Sequence, residues 1–291
     1  MDAEHRFVLD AAGLGGRPAL AQDAAGAGTA LLVDVTQDEM LDAWATARAA
    51  VDRTGRWPLL CSSDAAHDES LFSRFYFDEG SHGGDSDPAA VLARAATIDV
   101  DARLAELARE WFPDRPEEAG HERSATLALY GDAPSEEEIR AAVTGTPFGV
   151  DRHLFGWERT RKPLAEPDRG VQDWFGSTED TAALVLLPAA EPWAPYAFVD
   201  ALHDACGYGQ DLLVAAARRW YERYGAETVG AFEVMAWLAV ARPPADPDDA
   251  WRLAFEHHVL AEATLRTPGV PLRQHARLLP AMDRWVLFSR P

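Results

Sequence analysis

The residues best suited to chemistry fall in two short runs, His203, Asp204 and Cys206 in the first and Glu256, His257, His258 and Glu262 in the second. Imidazole and carboxylate groups ligate divalent metals and move protons. His258 and Glu262 stand four apart, one helical turn, so both could reach a single ion. A histidine on a tryptophan-bearing helix face is more often a packed core residue with one hydrogen bond, and no spacing joins the two runs. No catalytic residue, metal site or cofactor is therefore expected. Other signatures are missing too: the sequence has no Gly-x-Ser-x-Gly elbow, no His-Glu-x-x-His pair and no phosphate-binding loop. Gly13-Leu14-Gly15-Gly16 lacks a following Lys or Ser/Thr and reads as a glycine-rich turn. Residues 62–88 carry Asp64, His67, Asp68, His82, Asp85 and Asp87, and read as a solvated surface loop. Cys61 and Cys206 lie far apart without ligand-like spacing, which argues against a disulfide framework or a zinc ribbon.

Charge narrows the partners. The 291 residues hold 48 acidic against 27 basic side chains, a formal charge of −21, and Lys162 is the sole lysine. Such a surface repels nucleic-acid phosphates and anionic membranes and suits a cationic partner: a basic protein, a peptide or a metal ion. Glu136, Glu137 and Glu138, with Asp246, Asp248 and Asp249, are the candidate acidic patch, and Glu117 and Glu118 lie near the first group in sequence. A compositional bias that only keeps the protein soluble is the competing explanation. No apolar run approaches the ~20 residues needed to span a bilayer, and the N-terminus lacks a signal-peptide pattern, so a cytoplasmic location is expected.

The elements that must position these groups centre on residues 209–244. Leu213, Ala216, Ala217, Trp220 and Tyr224 recur at steps of three and four, which predicts an amphipathic helix over 210–224, ended by Gly225. Arg218 and Glu222 can pair on its wet side. Residues 234–241 are apolar at odd and even positions, as in a central strand covered on both faces. Asp246-Pro247 predicts the start of a helix with a buried stripe of Trp251, Ala254, Phe255, His258 and Ala261. A short helix over 272–279 and a closing strand over 285–288 follow.

Upstream, strands are predicted at 5–9, 29–35, 57–61, 124–130 and 182–187. Helices are predicted over 40–51 (capped by Thr36 or Asp38), 88–97, 101–111, after Ser135-Glu136-Glu137-Glu138, and over 196–206. Residues 113–123 read as a charged linker. The expected fold is α+β, with mixed sheets packed by helices in two unequal halves, 1–145 and 181–291, joined by a connecting segment 146–180. Aligning Gly55 with Gly225 matches Ala47, Arg48, Asp52 and Arg53 with Ala217, Arg218, Glu222 and Arg223. A degenerate internal duplication is one reading of that match; chance likeness between alanine- and arginine-rich helices is the other.

The string Val214-Ala215, Arg218-Arg219-Trp220, Glu222 to Glu227, then Val240, Arg242-Pro243-Pro244, Ala250, Ala254 and Glu256, with Pro192-Trp193 upstream, resembles the bacterial family known as domain of unknown function 4253. The likeness covers about residues 182–288, and Trp44 and Thr54 to Pro58 resemble the family's upstream portion more loosely. It implies a fold unit and no particular chemistry. The chain departs from the family at Leu202 to Cys206, at His258 where tyrosine is usual, and after Phe288. Together these features nominate Trp193, His203, Asp204, Arg218, Trp220, Glu222, Glu256, His257 and His258 as candidate binding residues. The expected function is an acidic protein-binding module, like an immunity or inhibitor protein, for a cationic protein partner. An enzyme with a His/carboxylate site and a structural accessory protein are the alternatives.

Overall fold

In the computed structural model the Gln210–Tyr224 helix forms as its spacing predicts and stops at Gly225, whose φ of 60° is left-handed. Arg242 finishes that end: its backbone N–H donates to the Tyr224 carbonyl at 2.8 Å and its guanidinium to the carbonyls of Glu222 and of Tyr221, which the Gly225 N–H also reaches. The structure describes residues 2–64, 72, 87–113, 115–143, 145–164, 181–202, 209–232, 234–267 and 269–289. Most of the 62–88 loop, and His203, Asp204 and Cys206, lie outside them.

The chain folds as two units. One holds the described residues of Met1–Ile98, Asp173–Arg242 and Asp283–Pro291, the other those of Asp99–Gln172 and Pro243–Met282. The sequence suggests consecutive halves; each unit is instead assembled from separated stretches.

The first unit contains one seven-stranded sheet: β1 (Leu20–Asp23), β2 (Thr29–Thr36), β3 (Trp57–Ser62), β4 (Thr181–Leu187), β5 (Ala226–Phe232), β6 (Met235–Val240) and β7 (Arg284–Phe288), in the spatial order β1-β2-β4-β3-β5-β6-β7. β3 and β5 are parallel and every other pair is antiparallel. The architecture is therefore mixed α+β. β3 is buried along its whole length, and β6 is interior, with Trp237 fully enclosed. Leu31, Val33, Leu60, Leu184, Leu186 and Val229 from the sheet, with Val8, Leu9, Met40 and Ala47 from helices, form a continuous apolar core. Gly230 lets β5 approach β3, since a Cβ there would stand 3.1 Å from the Leu60 carbonyl. Beside it the Trp57 indole donates to the Thr228 carbonyl at 2.9 Å.

Several expectations change. Residues 5–9 lie in a helix, Ala3–Ala11, started by the Asp2 carboxylate accepting from the His5 N–H at 2.9 Å. The Met40–Arg48 helix begins at Glu39 rather than at a Thr36 or Asp38 cap, and a separate turn, Val51–Thr54, ends at Gly55. The Glu39 carboxylate instead takes two hydrogen bonds from Arg17 and one from the Thr36 N–H, which hold its pKa down to about 2. Among the described residues of the expected 196–206 helix, an α-helix covers Pro195–Phe198 and stops where Val199 turns extended. β1 and β5 are strands the sequence pattern did not reveal. The proposed repeats also differ in sense: β2 and β3 run the same way on either side of β4, whereas β4 and β5 run oppositely.

The second unit is helical where the sequence suggested a linker and a strand. Residues 116–130 form a 3-10 turn, Pro116–Glu118, and a helix, Ala119–Tyr130, ended by left-handed Gly131. Ala119, Thr126 and Tyr130 face inward at steps of seven and four, a helical period that a window starting at Ser124 conceals. The connecting segment contributes the helix Gly149–Glu158, with Val150, Leu154, Phe155 and Glu158 on its buried side. Ser135 and Glu138 form the predicted capping box of Glu136–Ala142. Asp246 caps Pro247–Leu260 as expected, and Trp251, Ala254 and Ala261 are buried as expected; the enclosed surface is wider, adding Leu253, Glu256, His257, Val259 and Leu260, while Phe255 and His258 are half-buried.

Candidate functional site

In the helical unit, polar chemistry gathers round Arg273, on the helix Leu272–Leu278, which is 2% exposed. Its Nε donates to Glu158 Oε1 at 2.9 Å, and its Nη1 donates to Asp151 Oδ1 at 2.6 Å and to Glu122 Oε2. Arg277, one turn on, donates to the other oxygen of Glu158 and to the Tyr130 hydroxyl, and the Thr126 hydroxyl donates to Glu158 Oε1 at 2.7 Å. Burial works against the charge of Arg273. The carboxylates of Asp151, Glu158 and Glu122 outweigh it and hold its pKa above the ordinary value. Helix periodicity brings these groups together, since Arg273 and Arg277 are four apart, as are Glu122 and Thr126. A pair of arginines at that spacing on a short Leu-rich helix was the one signal the sequence offered for this cluster.

Three carboxylates face two guanidiniums here, so the cluster carries an excess negative charge. Arg273 occupies one oxygen each of Glu122 and Asp151, and both residues line a cleft of about 550 Å³. Phe112 and Phe148 form an aromatic side of it, with ring centroids 4.9 and 5.1 Å from that of His258. Burial, with Arg266 nearby, lowers the His258 pKa to about 4, so its imidazole is neutral at pH 7. Its Nδ1 is buried without a hydrogen-bond partner among the described residues. Two exposed ion pairs, Arg115 with Glu118 and Arg266 with Glu262, stand at the cleft's rim.

The sequence-nominated residues fall into distinct places. His257 is fully buried, its Nδ1 3.1 Å from His275 Nε2, and Glu256 is buried as well, whereas His258 lines the cleft. Burial depresses both imidazoles of the pair, His257 well below its ordinary pKa and His275 to about 3. His258 and Glu262 share the cleft, although the helix ends at Leu260 between them and Glu262. Trp193, Arg218 and Glu222 meet in the sheet unit: Arg218 donates to Glu222 at 2.9 Å and lies 5.8 Å from the Trp193 ring centre. Trp220 belongs to the core, edge-on to Trp285 at 6.2 Å. Among the described residues no group of three or more His, Cys, Asp or Glu is arranged to hold a metal ion.

The acidic candidates separate as well. Asp246 is consumed as a helix cap, Asp248 is held by Arg152 and Arg159, and Asp249 by Arg252. Glu136 reaches back to the first turn of the Ala119–Tyr130 helix, where its Oε2 lies 3.2 Å from the position a Cβ on Gly120 would occupy. That contact sets Glu136 against the chain two residues past Glu118, while Glu138 turns back to Ser135 in the capping box. Of these, Glu118 also belongs to the cleft.

The fold and cleft thus define an α+β protein with a carboxylate- and aromatic-lined recess in a helical unit. Residues 183–288 match the model of the family described as Domain of unknown function (DUF4253). No curated protein and no solved structure was found to match the chain. The matched string is explained by structure: Trp220 and Tyr224 pack on Trp285, Gly225 ends the helix, Arg242 caps it, and Glu227 takes a bidentate pair from Arg48. No helix among the described residues is long and apolar enough to cross a membrane.

Proposed function

We propose that this protein is an acidic binding module for a basic protein, in the manner of an immunity or inhibitor protein. The observation that carries the reading is the contact of Glu136, which opens the acidic run Glu136 to Glu138, with Gly120, two residues past the acidic pair Glu117-Glu118. A purely compositional excess would have no reason to gather its carboxylates. Five acids there are offset by Arg115, Arg140 and Arg123, which donates to the neighbouring Pro134 carbonyl at 2.8 Å, so the patch remains anionic. Such a patch accelerates encounter with a cationic surface and is screened over ~10 Å at 0.1 M salt.

The test is capture of partners from the native host with the full chain, followed by stopped-flow association at graded ionic strength. A basic partner should emerge whose on-rate falls steeply with salt. Glu117→Lys with Glu137→Lys, both at exposed positions, should slow association about three- to tenfold at low salt while changing dissociation less. Failure to capture any basic protein, or an affinity indifferent to salt, would overturn the proposal.

A further inference from the structure

We propose that the cleft beside the Arg273 cluster takes the cationic head of an arginine or lysine side chain presented by the protein partner. This rests on the binding-module reading and gives it a specific anchor.

The argument begins with the unbalanced cluster. Glu122, Asp151 and Glu158 bring three negative charges to a site that Arg273 and Arg277 neutralise only in part; Glu158 is enclosed, and Glu122 and Asp151 are partly buried at the cleft wall. An uncompensated charge away from water is costly, and the cost falls when a cation reaches it. Glu158 has both oxygens occupied. The second oxygens of Glu122 and Asp151 receive no donor from the described residues, and these two side chains line the cleft. The excess charge is thus accessible where a ligand would lie.

The cleft's other walls select the kind of cation. Phe112 and Phe148 offer ring surface to an aliphatic stem or a planar guanidinium, as aromatic faces attract cations within about 6 Å. His258 packs against both rings, centroids 4.9 and 5.1 Å away, and as a neutral imidazole extends this aromatic wall. Apolar walls and dispersed oxygens suit an organic cation; a metal ion would need its donors converged at ~2–2.5 Å. A side chain is favoured over a free amine because Glu118 belongs both to the cleft rim and to the acidic patch, so one basic surface can engage both.

Isothermal titration calorimetry of the full chain tests this with N-acetyl-arginine methylamide, its uncharged norvaline counterpart, and inorganic phosphate as probes. The arginine probe should bind at least tenfold more tightly than norvaline, and phosphate should not compete. Ala125→Phe, an exposed cleft position, should fill the space without altering any charge and weaken the arginine probe at least tenfold. Glu122→Gln should do the same, and circular dichroism checks that it still folds; if it does not, Ala125→Phe alone decides. Equal binding of norvaline, preference for phosphate, or an unaffected Ala125→Phe variant would overturn the inference. If a basic partner is captured and Ala125→Phe binds it normally, the cleft role falls while the binding module stands. If the arginine probe binds as expected but no basic protein is captured, the module reading falls, and with it the assignment of the cation to a protein side chain.

Discussion

The interiors of the two units cohere by opposite means. In the sheet unit, apolar side chains from β2, β3, β4, β5 and β6 interlock with little polar chemistry between them, and Trp57 and Trp220 are wholly enclosed. The helical unit has a small apolar cluster around Ala119, Ile139, Val150 and Leu154, and it buries Arg273, Glu158, His257 and His275. Apolar burial is non-directional and tolerant of the exact partner. A buried charge network works only when its partners are complete and well aimed. Ligand-like features accordingly concentrate in the helical unit, where spare carboxylate oxygens border a cleft.

The largest effect should come from cutting the sheet unit where the family match begins. β4 lies between β2 and β3, and both of those neighbours fall outside residues 183–288. An isolated 181–291 fragment would leave both edges of an apolar strand bare, and it also lacks the 119–158 helices that satisfy Arg273. It should express as an unfolded or aggregated chain, with poor dispersion in a heteronuclear NMR spectrum. A well-dispersed spectrum from that fragment would mean the matched region folds alone.

Next are single substitutions that attack each mode of cohesion. Trp220→Ala should cost ~3–5 kcal/mol through the cavity it leaves against Trp285. Arg273→Met should cost a similar ~3–5 kcal/mol for a different reason, since it strands carboxylates in the interior. Denaturant melts separate the two: adding Glu158→Gln should restore part of the stability lost in Arg273→Met and none of that lost in Trp220→Ala. Equal effects on both backgrounds would show that the helical unit does not depend on charge pairing.

This contrast also explains what was legible in the sequence. Apolar periodicity located the 210–224 helix, its glycine stop and the buried β3, because side chains that face a core must recur with the backbone's own period. It failed over 113–130, where the inward face is built from Ala119, Thr126 and Tyr130 rather than large aliphatics. The site was harder still. Glu122, Asp151, Glu158 and Arg273 come from three separate stretches, each looking like an ordinary solvated charge, and only tertiary packing makes them neighbours. His258 and Glu262, four apart and read in the sequence as able to reach one ion, both line the aromatic recess.

A smaller, graded effect should follow from pH. His258 and His275 titrate at about 4 and about 3 in the folded protein, against about 6.5 when unfolded, and His257 is depressed too. Between those values the unfolded chain binds more protons than the native one, so stability is full above about pH 6.5 and declines as pH falls toward 4. Each histidine can contribute up to about 1.4 kcal/mol per pH unit. Melting temperatures from pH 7.5 to 5 should drop, and His258→Phe should drop less steeply. A flat profile for the native chain would mean that these rings reach water without unfolding.

The smallest effect tests whether exposed charge contributes to the sheet unit at all. Arg218 and Glu222 stand four apart on the wet face of the Gln210–Tyr224 helix with Nε 2.9 Å from Oε1, and both are largely solvated. Water and salt screen such a pair, and ordering two long side chains opposes the attraction, so a coupling of only ~0.2–0.5 kcal/mol is expected. A double-mutant cycle with Arg218→Ala and Glu222→Ala measures it free of each residue's other contacts, including the approach of Arg218 to Trp193. The coupling should vanish in 1 M salt, where the screening length is ~3 Å. A coupling above ~1 kcal/mol that survives high salt would place this pair with Arg273 rather than with surface charge, and would make the Trp193, Arg218 and Glu222 cluster a second organised site.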